Sequence, residues 1–204
     1  MMNLHRIAAF VLCAAVSGVT PARAANMQHV VFAGGCFWGV QAVFERVKGV
    51  TNTVAGYSGG QKSTAQYEMV SSGTTGHAES VDVTYDPSKV SFSQLLDVYF
   101  LVAHDPTQLN HQDADEGTQY RSEIFYTTDD QKREVLAKIA QLQHDHAFAA
   151  PIVTKVQPLR GFYAAEDYHQ HYFDHNPYEP YIMFVDKPKV KRLQERFPQL
   201  VRTN

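Results

Sequence analysis

Two hydrophobic periods run through this chain. His29 to Ala33 (HVVFA), apolar from Val30 onward, predicts a short strand into the Gly34-Gly35 turn. From Val40 the period changes: Val40, Val43, Phe44 and Val47 fall at i, i+3, i+4 and i+7, the spacing of a helix with one buried face. That helix is predicted to end near Lys48-Gly49 and to place Cys36 at or just before its first turn. Val50 to Tyr57 predicts a strand closed by Ser58-Gly59-Gly60, and a short helical piece follows around Ala65 to Val70. SVDVTY (Ser80 to Tyr85) alternates with Val81 and Val83 on one face, and Asp86-Pro87 stops it.

The second half continues the mixture. Ser93 is the predicted cap of an apolar helix reaching Ala103, Glu123 to Tyr126 is a strand, and Asp129-Asp130 open a helix that buries Val135, Ile139 and Leu142. Ile152 to Val156 predicts a further strand. A polar-aromatic stretch, AEDYHQHYFDHNPYEPY, precedes a basic helix near Pro188 to Arg196. Strands and helices alternate in short pieces, so the expected class is α+β: a compact two-layer mixed β-sheet with flanking helices. The loop from His104 to Thr118 is long for a compact domain and is expected to carry function. No fixed-period repeat or low-complexity segment is present.

The N-terminus follows another logic. MMNLHR carries one Arg, IAAFVLCAAVSGV is apolar but short for a membrane span, and Ala22-Arg23-Ala24 has the small-x-small pattern of a cleavage site. Residues 1–24 therefore read as a secretory signal peptide cut after Ala24, with 25–204 as one catalytic domain, periplasmic or secreted. Removing Arg6 and Arg23 leaves 16 of the 18 basic residues against 21 acidic ones, so the net charge moves from −3 to −5. That balance excludes a nucleic-acid footprint. No stable membrane association is expected, and the chain is read as a monomer. Of the two cysteines, Cys13 leaves with the leader, and Cys36 stays with no internal disulfide partner.

Cys36 lies in AGGCFWGV, beside Phe37 and the chain's one Trp, Trp38. A thiol reacts as thiolate, and a helix N-terminus favours that charge; Gly34-Gly35 permit a sharp bend that leaves the sulfur accessible. A buried structural Cys is the bland alternative. Two further readings stand beside a nucleophile of this kind. One is a cysteine hydrolase with His77 or His104 as base. The other is a periplasmic metal-binding protein using His169, His171 and His175, with His144 and His146 nearby in sequence.

GGCFWGVQAVFERVKGV resembles the active-site stretch of the peptide methionine sulfoxide reductase A (MsrA) family, whose hallmark is GCFWG. The resemblance continues in family order through GYSGG, YEMVSSGTTGHAESVDVTYDP, HDPTQLNHQDADEGTQYRS and AEDYHQHYF, from about Val30 to Tyr181. It implies Cys36 as nucleophile, Phe37 and Trp38 as the pocket for the sulfoxide methyl, and Glu79 as catalytic acid. It further implies Tyr67 and Tyr120 as hydroxyl donors and Asp115 as an assisting acid. Taken singly, Glu79 would read as a solvated charge, the tyrosines as packing and Asp115 as a loop acid. The implied reaction is reduction of methionine S-sulfoxide, free or in peptides and oxidised proteins, through a Cys36 sulfenic acid. No metal or bound cofactor is expected. The chain departs from the family in one respect: residues 176–204 contain no Cys, so no internal thiol resolves the sulfenic acid. The reductant is then external: thioredoxin-like, glutaredoxin-like or a small thiol.

Overall fold

The computed structural model describes residues 26–203; the leader expected over residues 1–24, and Cys13 within it, lie outside the described residues. In chain order the elements are β1 (Gln28–Ala33), α1 (Phe37–Glu45), β2 (Val50–Ser58), α2 (Tyr67–Val70), β3 (Ala78–Tyr85), α3 (Phe92–Val98), β4 (His111–Gln112), β5 (Asp115–Glu116), β6 (Glu123–Tyr126), α4 (Asp129–His144), β7 (Lys155–Pro158), β8 (Phe162–Ala164), α5 (Tyr172–His175) and α6 (Lys187–Arg196). Six strands form one sheet in the order β7-β6-β1-β3-β2-β8, and β4 and β5 pair separately. Every pairing in the large sheet is antiparallel except β6 with β7, whose parallel alignment requires the α4 crossover. The expected α+β mixed sheet with flanking helices is therefore what the chain forms.

Alternation decides which face of the sheet is covered. Val30 and Phe32 of β1, Ala55 and Tyr57 of β2, and Val81, Val83 and Tyr85 of β3 all join one buried cluster. Helices α1, α3, α4 and α6 deliver Val43 and Phe44, Leu95 and Leu96, Val135, and Leu193 to that same cluster, giving two layers. Phe32 stacks between Phe44 and Tyr99, at 4.8 Å from each ring, and ties α1 to the strand beneath it. The opposite face holds only the small cluster of Val31, Ala33, Ala78 and Phe125.

Three boundaries differ from expectation. The cap of α3 is Ser91 rather than Ser93: its hydroxyl accepts from the Gln94 N–H while Gln94 returns a bond to the Ser91 N–H, a reciprocal box that fixes the start two residues earlier. The strand expected at Ile152 to Val156 begins at Lys155 and runs to Pro158, because its partners on β6 are Glu123 to Tyr126. β8 was not foreseen; only three residues long, it is recruited to the sheet edge by pairing with Gly56 to Ser58 of β2. That pairing returns the polar-aromatic segment to the N-terminal end of α1. The loop from His104 to Thr118 is organised around β4 and β5, with Gly117 at φ +135° supplying backbone that other residues rarely adopt.

Candidate active site

Cys36 is the N-cap of α1, directly after the turn made possible by Gly35 at φ +83°. Alternation on β3 carries Tyr85, Val83 and Val81 toward α1, and the next residue on that face is Glu79. A carboxyl group thus replaces an apolar side chain in the row that faces the helix, and it is only 3 % exposed. The Phe37 N–H, one of the unpaired donors of the first helical turn, donates to Glu79 Oε2 at 3.0 Å. Across the sheet Tyr57 is the register partner of Glu79.

Burial pushes the Glu79 carboxyl up to about 8, with Asp115 and Asp186 adding to the rise against the Phe37 N–H and the Cys36 thiol, which favour the charge. The thiol is itself buried, at 8 % exposure. Here the structure corrects the expectation from the helix start: burial, with Glu79 and Asp186 adding negative charge, raises Cys36 well above its ordinary value, and the Trp38 N–H and Lys189 only oppose this. The sulfur lies at the bottom of the site rather than exposed on a bend. At neutral pH the site therefore holds both protons, one on sulfur and one on the acid.

The other residues implied by the sequence surround this pair. The Tyr67 ring packs on His169 at 4.5 Å and the Tyr120 carbonyl accepts from the Gly35 N–H at 3.1 Å; burial raises both phenols, with the charge on Glu79 the next cause in each, so both keep their protons as donors. Asp115 of β5 accepts a hydrogen bond from the Tyr181 hydroxyl. Phe37 is 1 % exposed and packs on Tyr57 and His169, at 5.8 and 5.0 Å between rings. Trp38 is half-buried, stacked on Tyr172 at 3.8 Å and 10° and meeting Tyr181 edge-on at 6.0 Å. All seven residues singled out by the sequence thus gather around the start of α1.

Several residues of the site were not anticipated. Glu166 accepts from the Tyr57 hydroxyl at 2.9 Å and from the Tyr67 N–H at 3.0 Å, which anchors Tyr67 to the sheet. His169, a candidate metal ligand in the metal-binding reading, is 2 % exposed; its Nδ1 accepts from Trp38 Nε1 at 3.1 Å and holds the indole plane. Tyr181 closes the side facing Asp115. Glu166 and His169 sit inside the quoted AEDYHQHYF block, but no period or spacing marks which of its polar residues turn inward.

The alternative readings do not find their geometry. Around His77 the ring nitrogens engage Gly60 and Gln61, and those of His104 engage Tyr99 and Ser122, so neither imidazole is aimed at Cys36. His169 turns to Trp38 while His171 bonds Glu45 at 2.5 Å at the far end of α1, so these two rings diverge. Among the described residues no three metal-binding side chains converge.

A buried acid with a raised pKa has a consequence for stability. Glu79 holds its proton up to about pH 8 when folded, against 4.5 for the free side chain. Below 4.5 both states are protonated and the site costs nothing; between 4.5 and about 8 the unfolded chain releases its proton first, so stability falls as pH rises. Glu79→Gln removes that penalty. The variant is expected to gain about 2–4 kcal/mol over wild type at pH 9 and almost nothing at pH 4, read from denaturant midpoints. An equal difference at both pH values would show that the carboxyl is not held neutral.

Known proteins resemble this chain over most of its length. A family model for peptide methionine sulfoxide reductase matches residues 28–200. A Mesorhizobium japonicum protein named peptide methionine sulfoxide reductase MsrA 2 is 55% identical over 177 residues, covering 87% of this chain and 91% of its own. An MsrA of Nautilia profundicola is 50% identical, over 81% of this chain and 94% of its own. Among solved structures, Mxr1 from Saccharomyces cerevisiae in reduced form superposes with a TM-score of 0.69 at 33% identity, over 76% of this chain and 89% of its own. Methionine sulfoxide reductase A of Corynebacterium diphtheriae gives a TM-score of 0.65 at 32% identity, over 78% and 77%.

Proposed function

The chain belongs to the peptide methionine sulfoxide reductase family and is an oxidoreductase acting on methionine sulfoxide, and from that premise we propose how its own residues perform the reaction. The observation that carries the reading is the carboxyl of Glu79, kept protonated by burial at the N-terminal end of the helix that bears Cys36. A sulfoxide oxygen leaves its sulfur only when its developing charge is met by a proton. Glu79 supplies that proton and the phenols of Tyr67 and Tyr120 stabilise the oxygen while the charge develops. Trp38, braced by His169 and Tyr172, and the buried Phe37 form the apolar wall for the methyl group. Tyr181 and Asp115 stand on the remaining side. The substrate is the S epimer, free or in peptides and oxidised proteins.

Cys36 sulfur attacks the sulfoxide sulfur, the protonated oxygen leaves as water, and water then attacks the Cys36 sulfur, breaking the new S–S bond so that the thioether departs as methionine and the proton returns to the acid. Oxygen ends on Cys36 as sulfenic acid; one sulfur is reduced by two electrons and the other oxidised by two. Residues 26–203 offer no second thiol to Cys36. An external thiol then attacks the sulfenic sulfur, water leaves and a mixed disulfide forms; a second thiol displaces Cys36 as thiolate and closes the reductant's disulfide. The yeast relative Mxr1 is known in complex with Trx2, which supports a protein reductant. The pattern of residues 1–24 supports export, with action in the periplasm or outside the cell, and the protein works as a monomer.

One experiment tests this reading. The protein is given one equivalent of each pure epimer of methionine sulfoxide without reductant, and products are read by mass spectrometry. The S epimer is expected to yield one equivalent of methionine and a Cys36 sulfenic acid, trapped by dimedone, and the R epimer neither. An intramolecular disulfide after turnover would sink the proposed external recycling.

A further inference from the structure

Gly39 is the third residue of α1, on the same face as Cys36 one turn earlier. A glycine inside a helix costs about 0.5–1 kcal/mol relative to alanine, so its presence needs a reason. The reason lies outside the helix. A Cβ at Gly39 would overlap Asp186 Oδ1 and come within 3.0 Å of Lys189 Nζ. Asp186 and Lys189 pair at 3.1 Å where the turn over Ile182–Asp186 runs into α6, and both are buried, Asp186 completely. Gly39 exists to let this ion pair press against the first turn of the catalytic helix.

A buried ion pair seldom repays its desolvation through stability alone. This one is also incompletely satisfied: Asp186 Oδ2 has no hydrogen-bond partner. Its charges point at the chemistry. Asp186 disfavours negative charge on Cys36 and on Glu79, and Lys189 favours it on Cys36. The pair's other titratable neighbours are Asp115, Glu179, Tyr181 and His104, of which Asp115 and Glu179 act on the Asp186 carboxyl, whose own value burial raises.

We propose that the Asp186–Lys189 pair is an electrostatic positioning element for Cys36: Asp186 adds to the burial and the Glu79 charge that hold the resting sulfur protonated, and Lys189 supplies a counter-charge that receives it as thiolate. The thiolate is needed twice, when sulfur attacks the sulfoxide and when Cys36 must leave the mixed disulfide. The second need follows from external recycling, because residues 26–203 hold no second cysteine to take over as the leaving group; leaving rate rises as thiolate charge is better stabilised. The proposal rests on Cys36 as the reacting sulfur, but not on sulfoxide turnover.

The test is therefore alkylation. Full-length protein reacts with iodoacetamide across a pH series, and the Cys36 peptide is quantified by mass spectrometry for wild type, Asp186→Asn, Lys189→Gln and Lys189→Arg. Asn matches the shape of Asp, and Gln keeps a polar donor near the length of Lys; each removes one charge. Asp186→Asn is expected to move the alkylation midpoint down by about one pH unit, Lys189→Gln up by about one, and Lys189→Arg to stay near wild type. A merely structural pair would shift neither midpoint, or both in the same direction, and either result overturns the proposal. If one variant does not fold, the sign of the shift in the other decides. Loss of sulfoxide reduction in wild type with these opposite shifts intact would refute the reaction assigned above and leave this coupling standing.

Discussion

Serine in place of Cys36 is expected to leave no measurable reduction of methionine sulfoxide, a loss of at least about 10⁴-fold in single-turnover rate. The size of the effect follows from electron counting rather than from geometry. The side chain at this position must accept an oxygen atom and give up two electrons, and sulfur does so by becoming a sulfenic acid. A serine oxygen has no comparable oxidation state to reach. The substitution removes little volume from a site that is already 8 % exposed, so the fold and the substrate affinity are expected to survive. Rates with the S epimer, followed by methionine release, check the claim; residual turnover within tenfold of wild type would move the nucleophile elsewhere in the chain.

The second large effect concerns Glu79. Glu79→Gln keeps the acceptor for the Phe37 N–H and the packing against Tyr57, but it has no proton to give at any working pH. General acids of this kind contribute about 10²–10⁴-fold, and a fall of about 10³ in the single-turnover rate is expected with substrate binding little changed. Because the variant is also expected to be more stable above about pH 8, activity and stability should move in opposite directions at one residue. Wild type adds a pH signature: as pH rises through about 8, Glu79 releases its proton and the acid-dependent rate should decline. The decline is expected to disappear in Glu79→Gln. An unchanged single-turnover rate in that variant would remove Glu79 from the acid role.

Alternation in SVDVTY marked β3 and its inward face, but Glu79, one step further on that face, was marked only by the resemblance of its GHAE block to the MsrA family and by itself reads as a solvated charge. The helical spacing from Val40 put Cys36 at the start of α1, where it is found. Other contacts left no trace in local pattern. Glu166, His169 and Tyr181 lie well over a hundred residues from Cys36, and they reach it because three residues of β8 complete the sheet edge. The cap of α3 was misplaced by two residues because Ser91 and Ser93 are equally good hydroxyls, and only the return bond from Gln94 distinguishes them. The His-rich segment invited a metal reading since spacing does not say which way a ring faces.

The sequence by itself determined the secondary structure on either side of AGGCFWGV, the two-layer α+β class, the residue types of the chemistry and the absence of a second thiol in residues 26–203. The elements and the class follow from periodicity and composition, which are local properties, and the residues of the chemistry from the resemblance of ordered motifs to the MsrA family. Only the tertiary structure decided the state of the thiol. A helix start alone predicts a lowered thiol pKa, yet burial beside Glu79 and Asp186 reverses the sign. Solvation and long-range charge depend on what the fold stacks against a residue, and no window of sequence contains that information.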